Sequence, residues 1–142
     1  MIIILAVLLR IAGAILLILA ALHQPISRLF RWREESLLLS PVNAAVFRVH
    51  ALFIVLILVL MSLPCLVDPW TFLEKSRAGA WMAWTFAAFW AARLHVQWFV
   101  FPHSLWRGKA TETRVHFIFT VLWLFLAAIF LVCGARQTGW LQ

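Results

Sequence analysis

The chain has 142 residues, of which 65% are hydrophobic and only 12% are charged. A separate soluble domain would need more charged residues on its surface than this chain has beside its long apolar stretches. We therefore expect one membrane domain over residues 1–142. The net charge of +7 would suggest nucleic acid in a soluble protein. Here the basic residues cluster at the ends of the apolar stretches, and we therefore expect no nucleic-acid partner.

Four apolar stretches follow one another along the chain, at about residues 1–23, 44–66, 79–101 and 114–134. Each reaches the ~20 residues that a helix needs to cross a bilayer. The sequence therefore predicts an all-α integral membrane protein, a four-transmembrane-helix bundle.

The first stretch contains a single charged residue, Arg10. An arginine inside a span is a functional candidate, for example for an anionic lipid, because its burial in hydrocarbon is costly. The alternative is that the side chain reaches the outer headgroups, since the start of the helix is only ~13 Å away.

The longest polar segment, residues 24–40, follows the first stretch. Basic and aromatic residues alternate within it, at Arg28, Phe30, Arg31, Trp32 and Arg33. This pattern is typical of a segment that lies on an anionic lipid surface, and a plain connecting loop is the alternative.

The second and fourth stretches open with the same tripeptide, Arg48-Val49-His50 and Arg114-Val115-His116. For the second stretch, Ser40 is a suitable cap, Pro41 suits the first turn, and Pro64 is expected to close the helix. For the fourth, we predict a start near Thr111 with Glu112 favourable in the first turn.

The third stretch has small residues at every fourth position, Gly79, Ala83, Ala87 and Ala91, and ends near Arg93 and His95. Small residues at this spacing let helices approach closely in a bilayer. We expect this ridge to pack against a protein partner or a second copy, although steps of four drift around the helix, so only part of it can face one neighbour.

The two halves resemble a duplication, because positions 48–60 and 114–126 agree at 8 of 13 sites. Two duplicated helical hairpins would bring four histidines to one level of the membrane: His23, His50, His95 and His116. Arg48, Arg93 and Arg114 lie at the same level and are candidates for binding a lipid or another anionic ligand.

The basic residues also predict orientation. Of the 12 Lys and Arg residues, eight flank the first and third loops and three the opposite face, with Arg10 inside the first span. By the positive-inside rule, both basic loops are cytoplasmic and both termini external, as in a bacterial inner-membrane protein.

The four stretches contain no Asp or Glu. This excludes from the spans an acid-dependent ion-coupled transporter, a di-iron carboxylate centre and a Ser-His-Asp triad. His50 and His116 could instead ligate a haem b or hydrogen-bond a quinone or a lipid headgroup. The alternative is that each simply bonds to water or a carbonyl at the interface, and the sequence leaves a metal site undetermined.

Two cysteines, Cys65 and Cys133, close the second and fourth stretches. They are either small apolar residues at helix ends or partners in a disulfide.

The layout resembles that of the MAPEG family, small trimeric membrane enzymes that act with glutathione on lipophilic substrates. The points of likeness are four spans, basic helix ends, and the run Arg93-Leu94-His95 with Arg107 in the following loop. Val49 and His50 follow Arg48 where the family has an asparagine and a glutamate, so the resemblance implies no site residues here.

Three hypotheses follow. The first is a non-catalytic membrane subunit or scaffold whose basic, histidine-bearing face holds an anionic lipid or amphiphile. The second is a redox bundle that binds haem b or a quinone through His50 and His116. The third is a MAPEG-like membrane enzyme that acts on lipophilic substrates.

Overall fold

The computed structural model describes residues 2–29 and 31–141, so Met1, Phe30 and Gln142, which fall in predicted segments, lie outside the description. Every regular element in the described part is helical: α1 (Ile2–Leu29), α2 (Trp32–Ser36), α3 (Pro41–Val67), α4 (Arg77–His95) and α5 (Ala110–Gln137). A π-helical segment, Val96–Val100, extends α4, and short 3-10 turns lie at Pro69–Phe72 and His103–Leu105. The predicted all-α class is confirmed.

Three helices within the described residues are long and apolar enough to cross a membrane: Ile2–Arg28, Pro41–Val67 and Ala110–Gln137. They correspond to the first, second and fourth predicted spans. Helix α4 is not among them, because Arg77 and Arg93 lie near its two ends and alanine and tryptophan take the place of most leucine and valine between them. That α4 forms a fourth transmembrane helix stays a prediction.

The helix ends follow from local residues. Ser40 caps α3, its hydroxyl accepting from the Asn43 amide at 3.4 Å, and Pro41 occupies the first turn, as predicted. Pro64, expected to close α3, lies inside it, and the helix ends at Val67. Helix α5 begins at Ala110, one residue before the expected start, with Glu112 in its first turn.

The described residues fall into two compact units, one formed by residues 7–69 and the other by residues 70–141 together with the start of α1. We call them the first-hairpin unit and the second-hairpin unit, because they contain α1 with α3 and α4 with α5. The expectation of a single membrane domain over the whole chain stays a prediction, as does the proposed duplication.

In the first-hairpin unit, Gly13 marks a close approach of α1 to α3. A Cβ at this position would lie 2.9 Å from the Cys65 Cβ and 3.0 Å from the Ser62 carbonyl oxygen, which is closer than atoms tolerate. The Cys65 thiol donates to the Met61 carbonyl at 3.4 Å, and the disulfide alternative for Cys65 and Cys133 stays a prediction.

In the second-hairpin unit, the small residues of α4 are buried. Gly79, Ala83 and Ala87 are buried, whereas Ala91 is exposed. The exposure of Ala91 agrees with the expected drift of the ridge around the helix. Partner contact through the ridge stays a prediction, with Ala91 the member on the surface.

In the second-hairpin unit, the buried side-chain amide of Gln137 forms hydrogen bonds to the loop that precedes α4. Its Oε1 accepts from the Ser76 amide at 2.9 Å, and its Nε2 donates to the carbonyls of Thr71 at 3.2 Å and Glu74 at 2.8 Å. A Cβ on Gly79 would collide with the Thr71 carbonyl. Glycine at 79 and glutamine at 137 together therefore hold the loop 71–76 against α5.

Candidate functional site: a polar relay and a basic groove

Three polar side chains form a chain of hydrogen bonds in the second-hairpin unit, which we call the relay: Arg93, Gln97 and His116. The Arg93 Nη1 donates to the Gln97 Oε1 at 3.2 Å, and the Gln97 amide lies 2.7 Å from the His116 Nδ1. Gln97 is only 5% exposed. The amide therefore joins a cation to an imidazole inside the protein.

The chemistry of the relay fixes its protons. A guanidinium has donors only, so the oxygen of Gln97 must face Arg93 and its NH₂ must face His116. The His116 Nδ1 is then the acceptor, and the proton of the neutral ring lies on Nε2. The relay thus selects one tautomer of His116.

Aromatic rings surround the relay. The ring of Trp106 stacks on His116 with centroids 3.9 Å apart and planes 19° apart. The Arg93 guanidinium lies 5.0 Å above the centroid of the Trp123 ring, and Trp123 in turn stacks on the buried Trp90 at 5.1 Å. Stacking fixes the ring of His116, and the cation–π contact favours a charged Arg93 away from bulk water.

The π-helical segment places Gln97. At its end the Phe101 amide donates to the Val96 carbonyl at 3.3 Å, a bond that spans five residues instead of four. Segments of this kind recur at functional sites because they redirect side chains at the end of a regular helix. Gln97 and Arg93 stand four residues apart, a spacing that allows their bond.

The first-hairpin unit contains a groove of about 700 Å³ between α1, α2 and α3. This volume lies within the range of ~300–1,000 Å³ that ligand sites occupy. Its apolar lining includes Ala20, Phe47, Ala51, Leu52 and Val55. Its polar lining includes Gln24, Ser27, Arg33 and Arg48, and no carboxylate of the described residues lines it. The groove combines an apolar trough with cationic groups.

His23 lines the groove beside Trp32. The two rings meet edge to face at 5.3 Å, and Trp32 meets Phe47 in the same way at 5.7 Å. The His23 Nε2 is buried and lacks a hydrogen-bond partner among the described residues. A buried polar atom is normally paired, so this nitrogen has one hydrogen bond still to make.

The other predicted residues are placed as follows. His50 and Arg48 are exposed on α3, and of the two only Arg48 lines the groove. The His50 Nδ1 donates to the Val46 carbonyl at 2.9 Å. Arg10, His95 and Arg114 are exposed. The structure therefore brings His23 and Arg48 to one groove and Arg93 and His116 to one relay, and a common layer of all four histidines stays a prediction.

Haem ligation requires a free ring nitrogen without a proton, because a neutral imidazole ligates iron through that nitrogen. His50 has such a nitrogen, since its Nδ1–H bonds to a carbonyl and leaves Nε2 for a ligand. His116 has none, since its Nδ1 is occupied and its Nε2 carries the proton. Ligation by both would require the Gln97 amide to reverse, which removes the acceptor of Arg93. No group of three or more metal-ligating side chains is found in the described part of the chain.

The fold and sites together describe an all-helical protein with helices suited to a membrane, one internal relay and one basic groove. No known protein family, curated protein or solved structure matches the chain.

Sequence reasoning did not select Gln97, Trp106 or Trp32 as site residues. The four-residue spacing of Arg93 and Gln97 was a signal that could have found the first bond of the relay. The bond from Gln97 to His116 and the stack on Trp106 join separate segments, so no local pattern indicates them.

Proposed function

We propose that the protein is a small integral membrane subunit or scaffold without catalytic activity, which holds an anionic phospholipid in the groove of the first-hairpin unit. The observation that carries the proposal is the composition of the groove. Its apolar trough suits an acyl chain, and Arg33 and Arg48 at the same site suit a phosphate.

His23 supports the same assignment. Its buried Nε2 has no partner among the described residues, and a lipid ester or phosphate oxygen would supply the acceptor for a protonated nitrogen at that position. The wall formed by Trp32 and Phe47 gives the trough a rigid apolar side.

The segment after α2 supports a position at the membrane surface. Leu37 and Leu38 are 78% and 87% exposed, and they follow the charged helix α2. A charged segment followed by exposed leucines lies well at the boundary between headgroups and acyl chains.

The orientation belongs to the same proposal. The loops around residues 24–40 and 102–113 are cytoplasmic and both termini external, in the inner membrane of a bacterium, because basic residues concentrate on these loops. The test is labelling of single cysteines from outside intact cells, after removal of Cys65 and Cys133. Labelling at position 109 in intact cells would overturn the orientation.

Lipid retention tests the groove. The protein is purified in a mild detergent, and its bound lipids are extracted and quantified. We expect an anionic phospholipid enriched over a zwitterionic one, and loss of this enrichment in Leu52→Trp, which fills the trough, and in Arg48→Gln. Lys75→Gln is the matched control, because it removes an exposed positive charge outside the groove. No enrichment, or equal enrichment in all variants, contradicts the proposal.

A haem- or quinone-binding redox bundle is the second candidate, favoured by the free Nε2 that His50 presents. The absorption spectrum of the purified protein decides it. A Soret band that disappears in both His50→Ala and His116→Ala would establish haem, and a colourless protein with no bound quinone excludes this candidate. Nothing in the described geometry adds to the third candidate, a MAPEG-like enzyme that acts on lipophilic substrates.

A further inference from the structure

A second recess, of about 430 Å³, adjoins the groove in the first-hairpin unit. Its lining is Gln24, Ser27, Arg28, Arg31, Arg33 and Glu34. Gln24, Ser27 and Arg33 also line the groove, so the two spaces share part of their walls. A recess lined by three arginines therefore lies next to the apolar trough.

The turn between α1 and α2 creates the recess. Arg31 has φ 54° and ψ 34°, and it is the one non-glycine residue with positive φ in the described part of the chain. This left-handed conformation is unfavourable for residues other than glycine, so arginine rarely adopts it. Non-glycine residues in this conformation cluster at ligand sites. Because the chain reverses at Arg31, Arg28 from α1 and Arg33 from α2 line one recess.

The side chains that line the recess carry an excess of positive charge. The Arg31 Nε forms an ion pair with the Glu34 carboxylate at 2.7 Å, the one ion pair in the described residues. Arg28 and Arg33 have no carboxylate partner there. Three arginines less one glutamate leave a net charge of +2 on the lining.

We propose that the lipid of this site carries two phosphate groups in its headgroup, as cardiolipin does, with one phosphate at Arg28 and the other at Arg33. This inference rests on the function proposed above and names its ligand class. A guanidinium binds phosphate through two parallel hydrogen bonds. A headgroup with a single phosphate would neutralise only half of the +2 charge, whereas two phosphates match it.

The test measures preference between lipids, using the full chain in detergent micelles. Cardiolipin, phosphatidylglycerol and phosphatidylcholine are added in turn at equal phosphate concentration, and native mass spectrometry counts the molecules that remain bound. We expect cardiolipin to bind at least tenfold more tightly than phosphatidylglycerol. Arg28→Gln and Arg33→Gln should each lower this preference about fivefold, the effect of one arginine near an anionic headgroup.

Lys109→Gln is the control, because it removes one exposed charge from the other basic loop. It should leave the preference for cardiolipin unchanged, and circular dichroism should show equal helix content in all three variants. Equal binding of cardiolipin and phosphatidylglycerol, or the same loss in Lys109→Gln, overturns the two-phosphate site while leaving the anionic-lipid function intact. Binding of neither above phosphatidylcholine overturns the proposed function itself.

Discussion

The two Arg-Val-His tripeptides have the same sequence and opposite hydrogen bonding. In the first, the His50 Nδ1 donates to the carbonyl of Val46 on its own helix, and the ring is exposed. In the second, the His116 Nδ1 accepts from Gln97, and the ring stacks on Trp106. The proton of the neutral imidazole is therefore on Nδ1 in His50 and on Nε2 in His116.

The contrast shows that the tripeptide does not determine the chemistry of its histidine. The hydrogen-bond partner of each ring does, because the carbonyl of Val46 can only accept whereas the amide nitrogen of Gln97 can only donate. His50 presents an acceptor nitrogen to its surroundings, and His116 presents a donor. A repeated motif thus gives two different groups, and the next four predictions test this difference.

Replacing Gln97 by leucine has the largest expected effect. The change leaves Arg93 without its side-chain acceptor and the His116 Nδ1 without a donor in the interior. Loss of a buried partner of this kind costs about 1–3 kcal/mol. The free energy of unfolding, measured by SDS titration in mixed micelles, should fall by that amount. An unchanged free energy would show that the relay does not stabilise the protein.

Replacement of the two histidines by phenylalanine gives a matched pair. His116→Phe should lower the free energy of unfolding by about 1 kcal/mol, because Gln97 loses a hydrogen bond while stacking on Trp106 is retained. His50→Phe should leave it nearly unchanged, since the ring is exposed and bonds only to its own helix. Equal losses in the two variants would contradict the asymmetry.

The stack on His116 makes a smaller contribution. Trp106→Leu keeps an apolar side chain but removes the ring, and it should cost about 0.5–1.5 kcal/mol, the usual value of an aromatic pair. Trp98→Leu is the control, because Trp98 is exposed and makes no contact with His116 in the structure. A larger loss for Trp98 than for Trp106 would speak against a role of the stack.

The smallest expected effect is that of Gln97→Glu, which should give His116 the same protonated nitrogen, Nδ1, as His50. A carboxylate still accepts from Arg93, but it can no longer donate to His116, so His116 must place a proton on Nδ1. Nitrogen-15 NMR of the imidazole rings should show His116 with Nε2 protonated in the native chain and with Nδ1 protonated in the variant. The spectrum of His50 should not change, and a native His116 with a proton on Nδ1 would refute the assignment.

The sequence sufficed for the features that depend on local residues. Three predicted spans, the Ser40 cap with Pro41 and the start of α5 follow from hydropathy and capping. The helical period also implied that only part of the small ridge can face one neighbour, without indicating which member is exposed. These features need no knowledge of which segments meet.

The sequence did not suffice where a side chain bonds to a distant segment. The bond from Gln97 to His116 crosses 19 positions and depends on the π-helical segment, which hydropathy does not reveal. The recess depends on the left-handed backbone of Arg31, an uncommon conformation that composition cannot indicate. For this reason, the sequence predicted the role of the basic residues in orientation but did not predict that some of them line a recess.

The hydrogen bonds of Gln137 have a consequence for the order in which contacts form while the chain is synthesised. The loop 71–76 is made before α5, yet its bonds to Gln137 form only after more than sixty further residues have been added. Until then, the start of α4 is held by local contacts, such as the bond from the Gly79 amide to the Ser76 hydroxyl. Arrest of translation before position 137 should therefore leave this loop open to proteases, and its closure reports that α5 has been completed.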